Sequence, residues 1–201
     1  MTRKENASMT DVVYESPLLG LGLTGPRSLQ VDGQPCTLGE VPFAEMLNIR
    51  GNSGNPAFVS AVAQATGLTL PMQANTSSLG AQRQLLWLGP DEWLFKTRDG
   101  QGEAVLTALR TALAGQHAAV VAVGDGNTTF TVQGPAAAAL LSRGCPLDLH
   151  PRVFGAGALA QSHIAKCGAT VLCLLPGVDY ELTVRRSFAD YLFGWLSAAG
   201  A

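Results

Sequence analysis

Chemistry in this chain would have to come from few groups. It holds three histidines (His117, His150 and His163) and four cysteines (Cys36, Cys145, Cys167 and Cys173). Cys145 and His150, in the run Gly144-Cys-Pro-Leu-Asp-Leu-His-Pro-Arg-Val-Phe154, come nearest to a thiolate–imidazole nucleophile. Pro146 and Pro151 stiffen that run, and neither an orienting group nor an oxyanion hole accompanies it. A rigid connection packed on a neighbour is the expectation. His163, Cys167 and Cys173 come nearest to a metal cluster, yet no closely spaced ligand pair sets two corners of a tetrahedron on one turn. On one strand His163 and Cys167 would share a face about 13 Å apart, too far to share an ion. No metal site is expected, and the thiols read as reduced and buried.

Other motifs are weaker. Gly20-Leu-Gly-Leu-Thr-Gly25 matches the dinucleotide fingerprint in form, but Pro17 precedes it and no apolar helical period follows, so no helix N-terminus would meet a pyrophosphate. Asp91 and Glu92 sit at a hairpin turn, where charge is normally solvated. Asp125 lies in the tight turn Gly124-Asp-Gly-Asn127. His117, in a Gly-Gln-His connection, reads as solvated. Arg185-Arg186, just before the last helix, could clamp an external anion, with an internal pairing to Asp179, Glu181 or Asp190 as the plainer alternative. Too few lysines and arginines interleave Trp87, Trp93, Phe188 and Trp195 for a base-stacking platform. These aromatics read as core or interface anchors.

The elements that would position these groups come from composition and period. In 201 residues charged side chains are 14%, against roughly 25% in an average domain, and the net charge is -2. That excludes a basic nucleic-acid binder and a disordered chain. No apolar run reaches the ~18 to 20 residues of a membrane span. The start, MTRKENASMTDVVYESP, lacks the apolar core of a signal peptide. Charge is also uneven: Gly51 to Gln82 has none, and Ala118 to Ser142 has only Asp125. A partner-covered surface is one cause of such voids, and dilution by alanine and glycine the other.

Residues 1–45, with Pro17, Pro26, Pro35 and Pro42, read as an extended arm. Residues 46–201 read as one α+β domain of two similar halves, about 46–117 and 118–201. Strands are expected over 46–50, 85–88, 93–97, 120–123, 128–133, 158–166, 169–175 and 180–184. Helices are expected over 56–66, 103–113 and 135–141, and from an N-cap at Ser187. Strand–glycine–helix, hairpin, helix thus occurs twice, with Arg50-Gly51 matching Gln133-Gly134 and Trp93 matching Tyr180. Each half is a small unit of the split βαβ kind.

Three stretches resemble, together, the gamma subunit of heterotetrameric sarcosine oxidase. They are Trp87-Leu-Gly-Pro-Asp-Glu-Trp-Leu94, the run Gly144 to Phe154, and Arg185-Arg-Ser-Phe-Ala-Asp-Tyr-Leu192, with Glu15-Ser-Pro-Leu18 and Leu47-Asn-Ile-Arg-Gly51 in support. The likeness runs from about residue 15 to about residue 197. It implies a fold like the folate-binding domain of aminomethyltransferases. It also implies a cytoplasmic complex with alpha, beta and delta subunits that oxidises sarcosine to glycine and hydrogen peroxide. The one-carbon unit leaves as formaldehyde or methylenetetrahydrofolate. FAD, FMN, NAD, zinc and tetrahydrofolate are implied for the partner subunits, and no catalytic residue, cofactor or metal for this chain. Trp87, Trp93, His150, Arg152, Phe154, Arg185 and Arg186 are the residues expected at, or supporting, the partner interface. The alternative is a free-standing folate-dependent one-carbon enzyme on the same fold, with Asp125 or Asp148 as the carboxylate for the pterin.

Overall fold

The computed structural model describes residues 15–22, 25–41 and 43–201. Readings that fall on residues 1–14, on 23 and 24 within the glycine fingerprint, and on Pro42 lie outside the described residues. The strands are β1 (Arg27–Val31), β2 (Gln34–Val41), β3 (Glu45–Arg50), β4 (Ser77–Leu79), β5 (Arg83–Gly89), β6 (Glu92–Thr97), β7 (Ala119–Ala122), β8 (Asn127–Gln133), β9 (Leu159–Ile164), β10 (Cys167–Leu175) and β11 (Asp179–Arg185). The α-helices are α1 (Pro56–Thr66), α2 (Gly102–Ala112), α3 (Ala137–Ser142) and α4 (Ala189–Ala199). Two antiparallel sheets form, one in the order β1-β2-β8-β11-β10-β9 and one in the order β4-β5-β6-β3-β7.

Period-2 alternation builds four layers from these elements. Leu47, Ile49, Leu85, Trp93 and Phe95 point to one side of the five-stranded sheet, where they pack on Phe58 and Val62 of α1 and Leu106 and Leu109 of α2. Phe130, Val132, Val171, Tyr180 and Leu182 do the same in the six-stranded sheet against Leu140, Leu141, Leu192, Phe193 and Leu196 of α3 and α4. The inner faces meet through Met46, Leu86 and Leu94 on one side and Leu159 and Leu172 on the other. The start of α1 follows local rules: the Asn55 side chain accepts from the Ala57 N–H at 3.0 Å, Pro56 opens the helix, and Gly67 closes it at φ 72°. The last helix starts later than expected. Ser187 lies in a 3-10 turn over Arg186–Phe188, and Phe188 stands at the N-cap of α4 without a side-chain cap. No helix among the described residues is long and apolar enough to cross a membrane.

The two sheets repeat one plan. Strands β4, β5, β6, β3 and β7 occupy the places of β9, β10, β11, β8 and β2. Both central hairpins carry a register shift at the same place, between Trp87 and Gly89 in one and Cys173 and Leu175 in the other. Trp93 and Tyr180 are both fully buried, and each ties the connection after its half's first helix. The Trp93 indole N–H donates to the Pro71 carbonyl at 2.8 Å, and the Tyr180 hydroxyl to the Leu149 carbonyl at 3.3 Å.

Two expectations are corrected here. Residues 27–41 are not an arm: β1 and β2 belong to the six-stranded sheet, and Leu29, Val31, Cys36 and Leu38 are buried in its core. The prolines sit at boundaries. Pro26 precedes β1 and Pro35 is the second residue of β2, so neither interrupts a central ladder. In addition, β7 pairs with β3 and so belongs to the sheet of the first half, although the sequence placed it at the start of the second half.

Among the described residues a carboxylate paired with two cations crosses between the sheets. Lys96 of β6 is 2% exposed and Glu181 of β11 is 1% exposed. The Lys96 ammonium donates to Glu181 Oε2 at 2.8 Å and to Thr183 Oγ1 at 3.2 Å, and the Arg98 guanidinium donates to Glu181 Oε1. Breaking a buried pair by removing one member leaves the other charge without compensation and costs about 3–5 kcal/mol. Glu181→Gln strands Lys96, whereas Lys96→Met leaves Arg98 facing Glu181. Urea unfolding is therefore expected to rank Glu181→Gln as the more destabilised, by about 3–5 kcal/mol. The double change Lys96→Met/Glu181→Leu should recover most of that loss.

Candidate functional site

The residues singled out from sequence do not converge on one point. Trp93 is a core residue, its ring centroid 5.6 Å from that of Phe58, and Trp87 packs half-buried on the same cluster. Phe154 is buried and stacks on Tyr180 with centroids 6.4 Å apart. Trp93 and Phe154 can thus support a surface but cannot form one, because alternation turns Trp93 toward α1 and the Tyr180 ring covers Phe154. His150 and Arg152 are exposed in the connection between α3 and β9. Arg185 and Arg186 sit at the far end of β11, where Arg186 donates to the Glu15 carbonyl at 2.5 Å and neither joins an ion pair among the described residues. The internal pairing considered for them goes elsewhere, since Glu181 is held by Lys96 and Arg98.

The family-like run around His150 is folded against the β10–β11 turn. His150 donates its N–H to Asp148 Oδ1 at 3.0 Å, and its Nδ1 accepts from the Arg152 N–H at 3.2 Å, so the imidazole is used inside its own loop. The Tyr180 hydroxyl accepts from the Gly177 N–H at 3.0 Å while it donates to Leu149, which fastens the loop to the turn. Val153, 65% exposed, and the exposed Leu175 and Val178 all belong to these two joined segments. Together with His150 and Arg152 they form an apolar end of the six-stranded sheet rimmed by polar groups, which is the composition of a contact surface. His150 and Arg152 are among the residues that the sequence singled out. Val153 and Val178 were missed because a lone apolar residue in a connection carries no periodic signal, and Leu175 because an apolar residue at the end of a strand reads as core.

The thiols are placed for packing. All four are free and buried. Burial raises the pKa of Cys36 and Cys167, and burial with the nearby Asp179 carboxylate pushes Cys173 to about 11. A thiol held protonated is a poor nucleophile and a poor metal ligand. His163 and Cys167 do not share one strand: β9 ends at Ile164 and β10 begins at Cys167, with His163 opposite Gly168. Among the described residues no group of three or more His, Cys, Asp or Glu is placed to hold a metal ion. The glycine fingerprint leads into strand β1 where a nucleotide site needs a helix.

A cleft of about 270 Å³ opens beside Asp125, lined by Glu15, Glu40, Glu45, Glu103, Phe43 and Arg186 among others. Its inner carboxylates are already engaged. Glu40 accepts from Ser16 Oγ at 2.5 Å and Thr128 Oγ1 at 2.8 Å, and Glu45 from the Gly102 N–H at 3.0 Å. Asp148 lies in the α3–β9 connection, outside this lining. The two carboxylates proposed for a pterin therefore belong to different places.

Electrostatics concentrate instead between the sheets. Burial lowers the Lys96 pKa, against the pull of Glu181. For Glu181 burial alone acts upward, but the Lys96 ammonium and Arg98 guanidinium outweigh it and hold the carboxyl below its ordinary 4.5. Its contribution to stability is present above that value and lost as pH falls through the depressed one. Asp179 behaves oppositely. Burial and the Glu181 charge raise it above 3.8, and its Oδ1 is buried without a partner among the described residues. A raised carboxyl favours folding below 3.8, and that contribution is lost as pH rises through the folded pKa. Asp179→Asn is thus expected to raise Tm at pH 7, and the gain should vanish below pH 3.8. Thermal melts of both proteins across pH 3–7 check this.

The family model described as sarcosine oxidase, gamma subunit family, matches residues 50–201. The sarcosine oxidase subunit gamma of Corynebacterium sp. (strain U-96) is 32% identical over 161 residues, 80% of this chain and 77% of that protein. Its counterpart from Arthrobacter sp. is 35% identical over 160 residues, 79% of this chain and 77% of that one. A chain of the heterotetrameric sarcosine oxidase from Corynebacterium sp. U-96, solved with pyrrole 2-carboxylate, superposes with a TM-score of 0.82 at 29% identity, covering 92% of this chain and 93% of that chain. The glycine cleavage system aminomethyltransferase T from Bartonella henselae shares the fold, with a TM-score of 0.61 at 15% identity over 90% of this chain and 56% of that chain.

Proposed function

The chain belongs to the sarcosine oxidase gamma subunit family, and from that premise we propose that it serves a heterotetrameric sarcosine oxidase as a structural subunit carrying none of the reacting groups. The complex is an oxidoreductase, and its chemistry rests in this reading on partner alpha, beta and delta subunits in the cytoplasm. FAD, FMN, NAD, zinc and tetrahydrofolate belong to those partners. One observation carries the structural role: groups able to do chemistry are spent on holding the fold. The imidazole of His150 accepts inside its own loop, Cys36, Cys167 and Cys173 are held protonated by burial, and the Lys96–Glu181 pair is closed off between the sheets.

The relatives named above are subunits of a complex, and they give no support to a free-standing folate-dependent enzyme. The contact surface in this reading includes the apolar end around Val153, Leu175 and Val178, with His150 and Arg152 on its rim. Arg185 and Arg186 form a second contact at the opposite end of β11.

Co-expression with the other three subunits tests the role. Leaving this chain out should abolish recovery of a stable complex. Complexes assembled with Cys145→Ala or Asp148→Asn should keep kcat for sarcosine within about twofold, whereas loss of a general acid or base typically costs 10²–10⁴-fold. A loss of that size with assembly intact would overturn the non-catalytic reading.

A further inference from the structure

Each sheet has two edges, and three of the four are guarded. On β1, the Gln30 N–H donates to the Gly200 carbonyl at 3.1 Å, so the end of the chain covers that edge. Strand β4 is three residues long and is joined to the other sheet through a bridge from Thr76 to Ala158. Strand β9 presents Gln161 and His163, both exposed and polar. The fourth edge, β7, reads Ala-Val-Val-Ala, with Val121 51% exposed and no charge, proline or bulge within it. Short strands, charges, prolines, bulges and covering segments are the usual protections of a free edge. Apart from its brevity, β7 has one of them, the side chain of Arg110.

The ladder fixes which groups face outward. The Val123 N–H donates to the Met46 carbonyl at 2.8 Å, so by antiparallel alternation Ala119 and Val121 direct their backbone groups to β3. Val120 and Ala122 direct theirs to the open side. Arg110 of α2 donates to the Val120 carbonyl at 3.3 Å. The Val120 N–H and both backbone groups of Ala122 have no partner among the described residues. In the internal repeat β7 stands where β2 stands, and β2 carries β1 on that same side. The first sheet therefore lacks the strand that the second one has.

We propose that the open edge of β7 receives an extended segment of a partner subunit, added antiparallel as a sixth strand. This deepens the subunit reading and rests on it. Charge on the flanks selects the occupant. Arg110 lies at the Val120 end; at the Ala122 end lie Glu103 and Asp125, neither of the two acids in an ion pair among the described residues, with Glu45, held by the Gly102 N–H, and one cation, Arg186, bonded to the Glu15 carbonyl, so that acids outnumber cations there. An antiparallel strand brings its N-terminal end to Ala122, so the segment carries a basic side chain there and an acidic or neutral one at its other end. Main-chain bonds supply the affinity and the flanking charges the direction.

Hydrogen exchange on the intact complex, resolved to single amides, tests this. The Val120 and Ala122 amides are expected to exchange at least 100-fold more slowly than exposed amides. Ala122→Pro, which deletes only an outward N–H, and Glu103→Lys should each lower recovery of the complex at least tenfold. Fast exchange at both amides in the complex, with both variants assembling normally, would overturn the proposal and leave the subunit reading standing. Protection that disappears on deleting residues 1–14, or that arises in a homodimer of this chain, would overturn it in favour of another occupant. Failure of the unaltered chain to join the complex would overturn both readings. The exchange measurement needs no variant, so it decides the matter even if Ala122→Pro does not fold.

Discussion

The fold depends on two sheets lying face to face with a carboxylate between two cations where their inner faces meet. An inner face of this kind has to be apolar or fully paired. Here most of it is: Met46, Leu86, Leu94, Leu159 and Leu172 make one part dry, and Lys96, Glu181, Arg98 and Thr183 satisfy one another in another, while Gln84 Oε1 and Asp179 Oδ1 are buried without a partner among the described residues. A buried pair adds little net stability compared with apolar residues of the same volume, but it penalises every other register of one sheet on the other. A one-residue slip of β6 or β11 would turn Lys96 or Glu181 into the helix-facing core, where no opposite charge waits.

The same constraint explains the inner strands of the two halves. Each must present apolar residues to its helices and a narrower polar–apolar mix to the opposite sheet. The matched bulges in the β5–β6 and β10–β11 hairpins, and the matched Trp93 and Tyr180, are two executions of one solution. The halves part company at their edges. Strand β7 follows α2 directly, whereas the strand in the equivalent position of the second sheet comes from the start of the chain. The N-terminal hairpin thus closes the sheet that the C-terminal half begins, and the Gly200 carbonyl pairs with β1 in turn.

Much of this was legible in the sequence because it rests on period. Leu106, Leu109 and Leu113 mark α2, Asn55-Pro56 marks the start of α1, and Gly89-Pro90-Asp91-Glu92 marks a hairpin. What escaped rests on partners distant in the chain. Lys96 and Glu181 lie on strand faces that read as solvent-exposed until the second sheet is laid on them. Four prolines argued for an arm over 1–45, although Pro26 and Pro35 only bracket strands whose mates, β8 among them, lie about ninety residues on. The candidate contact surface was half legible. The resemblance to the family pointed to His150 and Arg152, and adjacency to the arginine pair Arg185-Arg186, but only the fold shows that Trp93 and Phe154 are buried inside and that Val153, Leu175 and Val178 stand outside.

The charge-poor stretches now have addresses. Gly51 to Gln82 includes the outward residues of α1 (Ala57, Ser60 and Gln64), and Ala118 to Ser142 includes the open strand β7. A surface so lightly charged suits a chain that is covered in its working state. Native mass spectrometry of the complex purified through a tag on this chain tests that account most directly. It predicts a four-subunit assembly holding one copy of this chain, which on gentle dissociation leaves with its sequence mass and no flavin or folate attached. A chain recovered alone as a stable monomer, or one that leaves the assembly with a bound cofactor, would contradict it.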